Sequence, residues 1–324
     1  MDRFYDIDEA VSGIISSGEG ITQEEAEALA AGTGTEILLQ AAGKVTSACA
    51  SHRFDTCSII NAKSGRCPED CRWCAQSAHY RTSAAGYPLK DREEMTRAAL
   101  TSWRHGIGRF SFVTSGRKLD DEEVDSICLT AREIHAVCSI RLCMSSGFLT
   151  QEQLQRLKNA GISRYHCNLE AAPSYFREVC TTHSQKQKTD TLVAAGNVGM
   201  EICSGGIIGM GETERQRIEL ACTLRSIGVS SVPINILSPI PGTPLASRPL
   251  LGDEEILRCV ALFRLILPSA YLRFAGGVAR LPEDTVMRAY RAGINSAILG
   301  DMLTTAGTDI EVNFDRIRRA GYEL

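Results

Sequence analysis

The sequence predicts an α/β protein: a (β/α)8 TIM-type barrel behind an N-terminal helical extension. Three observations point there. Between about residue 56 and residue 299, short apolar runs alternate with longer amphipathic ones, the signature of repeated βα units. No Pro-, Gly- or Ser-rich linker interrupts that alternation. The chain of 324 residues, 44% of them hydrophobic, is the size of one such barrel and is rich enough in apolar side chains for a large core. Periodicity alone leaves a doubly wound open sheet standing as the alternative.

In chain order, residues 8–15, 22–31 and 38–50 carry apolar residues at helical spacing, and Thr22 with Glu25 has the form of a capping box. These helices make up an extension over residues 1–52, expected on the outside or bottom of a barrel over 53–324. Strands are predicted at 56–61, 109–114, 139–145, 164–170, 201–208, 231–237, 271–275 and 296–299. Helices are predicted at 91–105, 120–137, 150–160, 189–198, 213–227, 253–267 and 283–292. In a parallel barrel the chemistry belongs at strand C-terminal ends or inside the barrel.

Charge and composition exclude several function classes. Lys and Arg total 35 against 39 Asp and Glu, a net charge of −4, which argues against a nucleic-acid surface. No apolar run approaches membrane-spanning length, and the acidic start Met1-Asp-Arg-Phe-Tyr-Asp6 is unlike a secretory signal. Thirteen Cys then read as reduced thiols and metal ligands in a cytoplasm.

The densest chemistry is Cys67-Pro-Glu-Asp-Cys71-Arg-Trp-Cys74, three thiols within eight residues of a loop introduced by Gly65. A short loop can aim three thiolates at one metal centre. Three ligands leave the fourth position of a four-iron cluster open for a small molecule. A structural zinc site would close its shell with a fourth ligand, for which His79 is the nearby candidate.

The pattern, with aromatic Trp73 before the last Cys, resembles the cluster loop of the radical S-adenosylmethionine (SAM) enzymes. The longer stretch Ala62-Lys-Ser-Gly-Arg-Cys-Pro-Glu-Asp-Cys-Arg-Trp-Cys-Ala-Gln-Ser77 resembles the biotin synthase family in particular. The resemblance covers most of the chain after Cys57 and favours the barrel over the open sheet. It implies a 4Fe-4S cluster on Cys67, Cys71 and Cys74, with SAM chelating the unique iron and cleaved to a 5′-deoxyadenosyl radical. It also implies dethiobiotin as substrate, a flavodoxin- or ferredoxin-type electron donor and a homodimer.

Further residues inherit expected roles from the same likeness. Cys203-Ser-Gly-Gly-Ile-Ile-Gly-Met-Gly-Glu212 matches the family's SAM strand, giving Gly205 and Gly206 as cofactor-binding; unaided, it is a glycine-rich βα turn. Asn168 and Glu170 share one face of an alternating strand and match an Asn-x-Asp that contacts SAM ribose and substrate. Cys167 is then expected to point away from the cavity. Lys188 stands where the family often has an Arg on the SAM carboxylate; Lys keeps the charge without the bidentate fork. Asn235, in Val232-Pro-Ile-Asn235, matches an Asn at the dethiobiotin ring.

The family holds an auxiliary iron–sulfur cluster with three barrel Cys and an Arg. Cys143, Cys203 and Arg273 match three of those ligands, but the fourth position is Ser111. A hydroxyl does not replace a soft thiolate on such a cluster. Cys57, on the first strand where the family commonly has Ser, is the expected substitute, with the cluster's nuclearity left open. Cys49, Cys128, Cys138, Cys222 and Cys259 read as small buried hydrophobes. Two rival readings stand: a related radical SAM enzyme of hydrogenase-maturase or methylornithine-synthase type, and a non-catalytic iron–sulfur or zinc protein.

Overall fold

The computed structural model describes residues 5–300 and 309–324. Three helices come first: α1 (Ile7–Ser17), α2 (Gln23–Gly32) and α3 (Thr35–Cys49). Helix α2 starts at the Thr22–Glu25 capping box, in which each residue's side chain bonds the other's backbone N–H. Helix α3 begins three residues before the predicted 38, because Gly34 turns the chain into the helix without a side-chain cap.

The barrel strands are β1 (Asp55–Lys63), β2 (Arg109–Thr114), β3 (Arg141–Ser145), β4 (Ile162–His166), β5 (Glu201–Cys203), β6 (Gly206–Ile208), β7 (Ser231–Ile236), β8 (Tyr271–Phe274) and β9 (Ile294–Ile298). All neighbours pair in parallel in the order β5-β4-β3-β2-β1-β9-β8-β7-β6. Both β5 and β6 lie against β7, through Cys203↔Ser231 and Gly206↔Ile234, so they form one interrupted stave. The sheet is therefore a closed eight-stave parallel barrel, and the open-sheet alternative is excluded.

Outside the staves lie α4 (Arg92–Arg104), α5 (Asp121–His135), α6 (Gln151–Asn159), α7 (Phe176–Val179), α8 (Gln185–Asn197), α9 (Glu214–Ile227), α10 (Asp253–Ile266), α11 (Glu283–Ala292) and α12 (Ile310–Arg319). Short α7 and terminal α12 have no counterpart in the predicted elements. Helix α8 starts four residues before the predicted 189, at a Ser184–Gln187 capping box. The core is one continuous apolar layer between staves and helices.

The N-terminal helices pack on the barrel's outer helices, chiefly α3 on α10 and α11. Thr46 Oγ1 donates to Ala292 O at 2.9 Å, and Arg258 on α10 donates to Ala30 O and Thr33 O at 2.6 and 3.0 Å. Each of those guanidinium bonds satisfies a carbonyl near the C-terminal end of α2.

Two predicted strands depart from the structure in ways that shape the interior. The strand predicted over 164–170 leaves the ladder after His166, and Glu170 takes a left-handed backbone at φ 71°. Its carbonyl accepts from Ile207 N and its N–H donates to Gly205 O. The strand predicted over 201–208 breaks at Ser204-Gly205, where a Cβ on Gly205 would fall 1.9 Å from Pro233 O. Only glycine allows β7 that close.

Candidate functional site

One cavity of about 430 Å³ runs from the C-terminal mouth of the barrel into its interior. That volume suits a drug-sized ligand. The loop after β1 forms one wall of the mouth. Gly65 and Arg66 both take positive φ there, turning the chain off β1. Cys67 N donates to Gln76 O and Ala78 N to Cys67 O, closing residues 67–78 into a compact loop. Cys67, Cys71 and Cys74 all face the cavity, with Trp73 beside them. Trp73 rests on an apolar cluster of Ala171, Val179, Ile207, Met210, Leu237 and Leu245.

The loop is tied to the barrel from behind. Asp70 accepts from Thr181 N and Thr182 N at 2.9 and 3.1 Å, and Arg72 N donates to Val179 O at 3.0 Å. Burial pushes the Cys74 thiol up to about 11 and, after the hydrogen bond with Cys180, also raises that of Cys71. These groups are thiols until a metal displaces their protons. His79 is exposed, with Nε2 2.9 Å from Pro68 O, so it does not complete a shell for the triplet.

Across the mouth stand Asn168, Glu170 and Lys188. Asn168 Oδ1 accepts from Gly205 N at 2.9 Å and its Nδ2 donates to Glu170 Oε2 at 3.3 Å. Burial raises the Glu170 carboxyl against the pull of Lys188 and His166. Lys188 is buried, and nearby thiols and Glu170 hold its amine charged against that burial. Gly205 and Gly206 sit behind this wall and not on it; they act through the backbone, holding Asn168 and Glu170 in place.

Asn235 lines the cavity with half of its amide already engaged. Its Nδ2 donates to Gly206 O at 3.2 Å and its Oδ1 accepts from Gly276 N at 2.9 Å. One N–H and one lone pair of that side chain are left for a ligand.

Deeper in the barrel, Cys57, Cys143, Cys203 and Arg273 border the same cavity. Cys57 Sγ donates to Ser58 O at 3.4 Å, and the Cys57 and Cys143 thiols bear on each other's ionisation. Cys203 Sγ is 3.5 Å from Ser231 Oγ and 3.3 Å from His166 Nδ1. Ser111 also lines the cavity, paired in register with Cys143 on β3 and Ile59 on β1. Burial opposes ionisation of Cys143, but the neighbouring Cys57 thiol and the guanidiniums of Arg109, Arg164 and Arg273 hold its thiol down at about 6.

Those guanidiniums form a frame that sequence reasoning missed. Asp55 is buried at the start of β1 and accepts from four arginines: Arg109 Nε at 3.4 Å, Arg141 Nη2 at 3.0 Å, Arg164 Nη1 at 2.8 Å and Arg273 Nη2 at 2.7 Å. Glu201 takes a second bond from Arg109 and Arg164. Four guanidiniums against two carboxylates leave a formal excess of two positive charges beside Cys57, Cys143 and Cys203. Arg273 Nε is buried without a hydrogen-bond partner among the described residues. An anionic group bound by the three thiols would meet both features, so the residues fit an iron–sulfur cluster here.

Two more side chains depart from the sequence expectation. His166 faces the cavity with Asn168 and Glu170, which corrects the expectation that it belongs with Leu169 to the other set of positions or the strand ends; burial holds its imidazole neutral, down to about 4. Cys167 belongs to the core yet also meets the cavity wall, so the expectation that it points fully away is corrected.

Comparison with known proteins adds an independent finding. The Radical SAM superfamily model matches residues 62–223, and that of the Biotin and Thiamin Synthesis associated domain matches 233–323. The chain is 49% identical to a biotin synthase of Parabacteroides distasonis, covering 98% of this chain and 97% of that one. It is 50% identical to a biotin synthase of Porphyromonas gingivalis, over 96% and 94%. A crystal structure of methylornithine synthase superposes with TM-score 0.81 at 16% identity, over 97% and 96% of the two chains. An FeFe-hydrogenase maturase from Carboxydothermus hydrogenoformans gives 0.80 at 17%, over 98% and 78%. These two share the fold; at such identity they carry nothing further.

Proposed function

The chain belongs to the biotin synthase family of radical SAM enzymes, and we propose that the barrel cavity holds both metal centres, SAM and substrate together. It is a radical SAM sulfurtransferase that makes biotin from dethiobiotin. One observation carries the proposed site: the triplet Cys67, Cys71, Cys74 and the set Cys57, Cys143, Cys203, Arg273 open onto the same cavity from opposite ends. When bound, the 4Fe-4S cluster supplies the electron that cleaves SAM to methionine and a 5′-deoxyadenosyl radical, and the auxiliary cluster supplies the sulfur.

The chain's own residues bind and align. Lys188 offers a charged amine to the SAM carboxylate, as a point donor and not a fork. Glu170 and Asn168 present an acceptor pair to sugar hydroxyls, locked together by their own hydrogen bond. Asn235 keeps one donor and one acceptor for a ureido ring, while Ile59, Val113 and Ile298 give an apolar wall to an alkyl chain. Enclosure excludes water from a reactive radical. Arg273 and the frame below it neutralise thiolates and cluster charge, with Cys57 in the ligand position that Ser111 vacates.

A flavodoxin- or ferredoxin-type reductant, a homodimer and a cytoplasmic location complete the reading. All thirteen Cys are unbridged, which suits a reducing compartment, and no described helix is long and apolar enough to cross a membrane. The test is anaerobic reconstitution with iron and sulfide, followed by reduction with SAM and dethiobiotin present. Biotin formed together with 5′-deoxyadenosine supports the assignment. Production of 5′-deoxyadenosine without biotin would favour a different radical SAM reaction.

A further inference from the structure

The proposed chemistry uses Cys71 but gives no role to Cys180 and His183, which lie directly against it. Cys71 Sγ is 3.8 Å from Cys180 Sγ, and Cys180 Sγ lies beside the His183 ring, 3.3 Å from Nδ1 and 3.7 Å from Nε2, so a turn of the ring is needed to aim Nε2 at an ion held by the two sulfurs. The three ligand atoms all fall within 4.8 Å of one another. Tetrahedral zinc with Zn–S of about 2.3 Å and Zn–N of about 2.0–2.1 Å has an S–S edge of about 3.8 Å and an S–N edge of about 3.6 Å. Thiolates on a four-iron cluster bind separate irons, whereas this pair stands as two ligands of a single ion do.

The surroundings are built for the same purpose. Cys180 and His183 are 1% and 5% exposed, so the imidazole is not a surface group swinging past by chance. His183 Nδ1 is 2.7 Å from Glu69 Oε2, and Glu69 is itself held by Arg117 Nη1 at 2.8 Å and by the Thr182 hydroxyl. A carboxylate on Nδ1 keeps the proton there and leaves the Nε2 lone pair for a metal, as in carboxylate–histidine–zinc sites. Cys71, His183 and Glu69 all border the cavity, from which water can supply the fourth ligand. The loop carrying Cys180 and His183 is placed by its own bonds, including Cys180 N to Phe176 O at 3.0 Å.

We propose that Cys71, Cys180 and His183 bind a zinc ion in the cluster-free protein, at a site exclusive with the 4Fe-4S cluster because Cys71 serves both. Binding needs both sulfurs as thiolates and a free Nε2 lone pair, and whatever protons those atoms carry pass to solvent. The ion pins the cluster loop to the loop between α7 and α8 and shields Cys71 until iron and sulfide displace it. The zinc site does not depend on the reaction assigned above, but its displacement by a cluster rests on the assignment of Cys71 as a cluster ligand.

The full chain, prepared cluster-free under anaerobic reducing conditions, is titrated with zinc chloride against a chromophoric chelator. Wild type, Cys67→Ser and Cys74→Ser are expected to bind about one zinc per chain. Cys180→Ser is expected to bind more than about 100-fold more weakly, beyond what losing only an outer-shell partner costs. Iron and sulfide added to the wild type should release the zinc as the cluster forms. Cys180→Ser should still take up four-iron cluster, which shows that it folds; a wild type that takes up none would instead undercut the family reading. Zinc retained by Cys180→Ser but lost from Cys67→Ser and Cys74→Ser would put the ion on the triplet and overturn the proposal. So would a wild type that binds no zinc under these conditions.

Discussion

Asp55→Asn removes the one buried carboxylate that four arginines share, while keeping its size and one carbonyl acceptor. Asp55, Arg109, Arg164 and Arg273 have side chains at most 4% exposed, so neither water nor salt screens the loss. The new amide also turns N–H groups toward guanidiniums that only donate. Breaking a buried ion pair by removing one partner costs about 3–5 kcal/mol. With a urea slope of about 3 kcal/mol/M, the unfolding midpoint should fall by roughly 1–1.7 M. The assay is urea unfolding of the cluster-free chain near neutral pH, followed by far-ultraviolet circular dichroism.

The same group sets a pH dependence whose sign can be worked out. Burial works against the Asp55 carboxylate, but Arg273, Arg164 and Arg109 together hold it far below the usual range. A depressed folded pKa contributes stability that is fully present above the unfolded carboxylate value, about 3.9, and is lost as pH falls toward the folded one. The gap between wild type and Asp55→Asn should therefore narrow on acidification below about pH 4. In the cluster-loaded protein the gap should shrink, because an anionic cluster offsets part of the freed positive charge. A midpoint shift under about 0.3 M at neutral pH would refute the frame as a source of stability.

Other outcomes follow from the same geometry. Changing Cys67, Cys71 or Cys74 to Ala should abolish SAM cleavage while leaving the fold, measured as 5′-deoxyadenosine yield beside a circular dichroism spectrum; normal yield from any of them would remove the triplet from the site. Dethiobiotin should bind more tightly with SAM present, since both ligands share one cavity, and equilibrium binding with and without SAM reads this directly. Gly205→Ala should destabilise by roughly 3 kcal/mol, because its Cβ would meet Pro233 O at 1.9 Å in a packed stave junction; a change within 0.5 kcal/mol, about the scale of an innocuous surface substitution, would contradict that.

The fold was legible where local and tertiary signals agree. The limits of β2 and α11 match the apolar pattern residue for residue, and the Thr22–Glu25 capping box read from the sequence starts α2. It was less legible where tertiary contact overrides periodicity. The alternation from Arg164 to Glu170 reads as one strand, yet the bonds Glu170 N to Gly205 O and Ile207 N to Glu170 O turn the chain out of the ladder. The cluster loop announces itself because its three thiols are close in sequence. The Asp55 frame does not, because its partners come from β2, β3, β4 and β8 and no local spacing joins them. Cys180 approaches Cys71 across 109 residues for the same reason.

The central claim is that the auxiliary cluster rests on Cys57, Cys143 and Cys203 beside Arg273, with Ser111 outside its ligand set. Anaerobic iron and sulfide counts on Cys57→Ser, taken alongside biotin yield, test it most directly, with Cys128→Ser on α5 as the control. The account predicts that Cys57→Ser loses the auxiliary iron and sulfide, keeps the SAM-binding cluster, still cleaves SAM slowly and makes no biotin, while Cys128→Ser keeps both clusters. Full auxiliary iron and wild-type biotin from Cys57→Ser would contradict it.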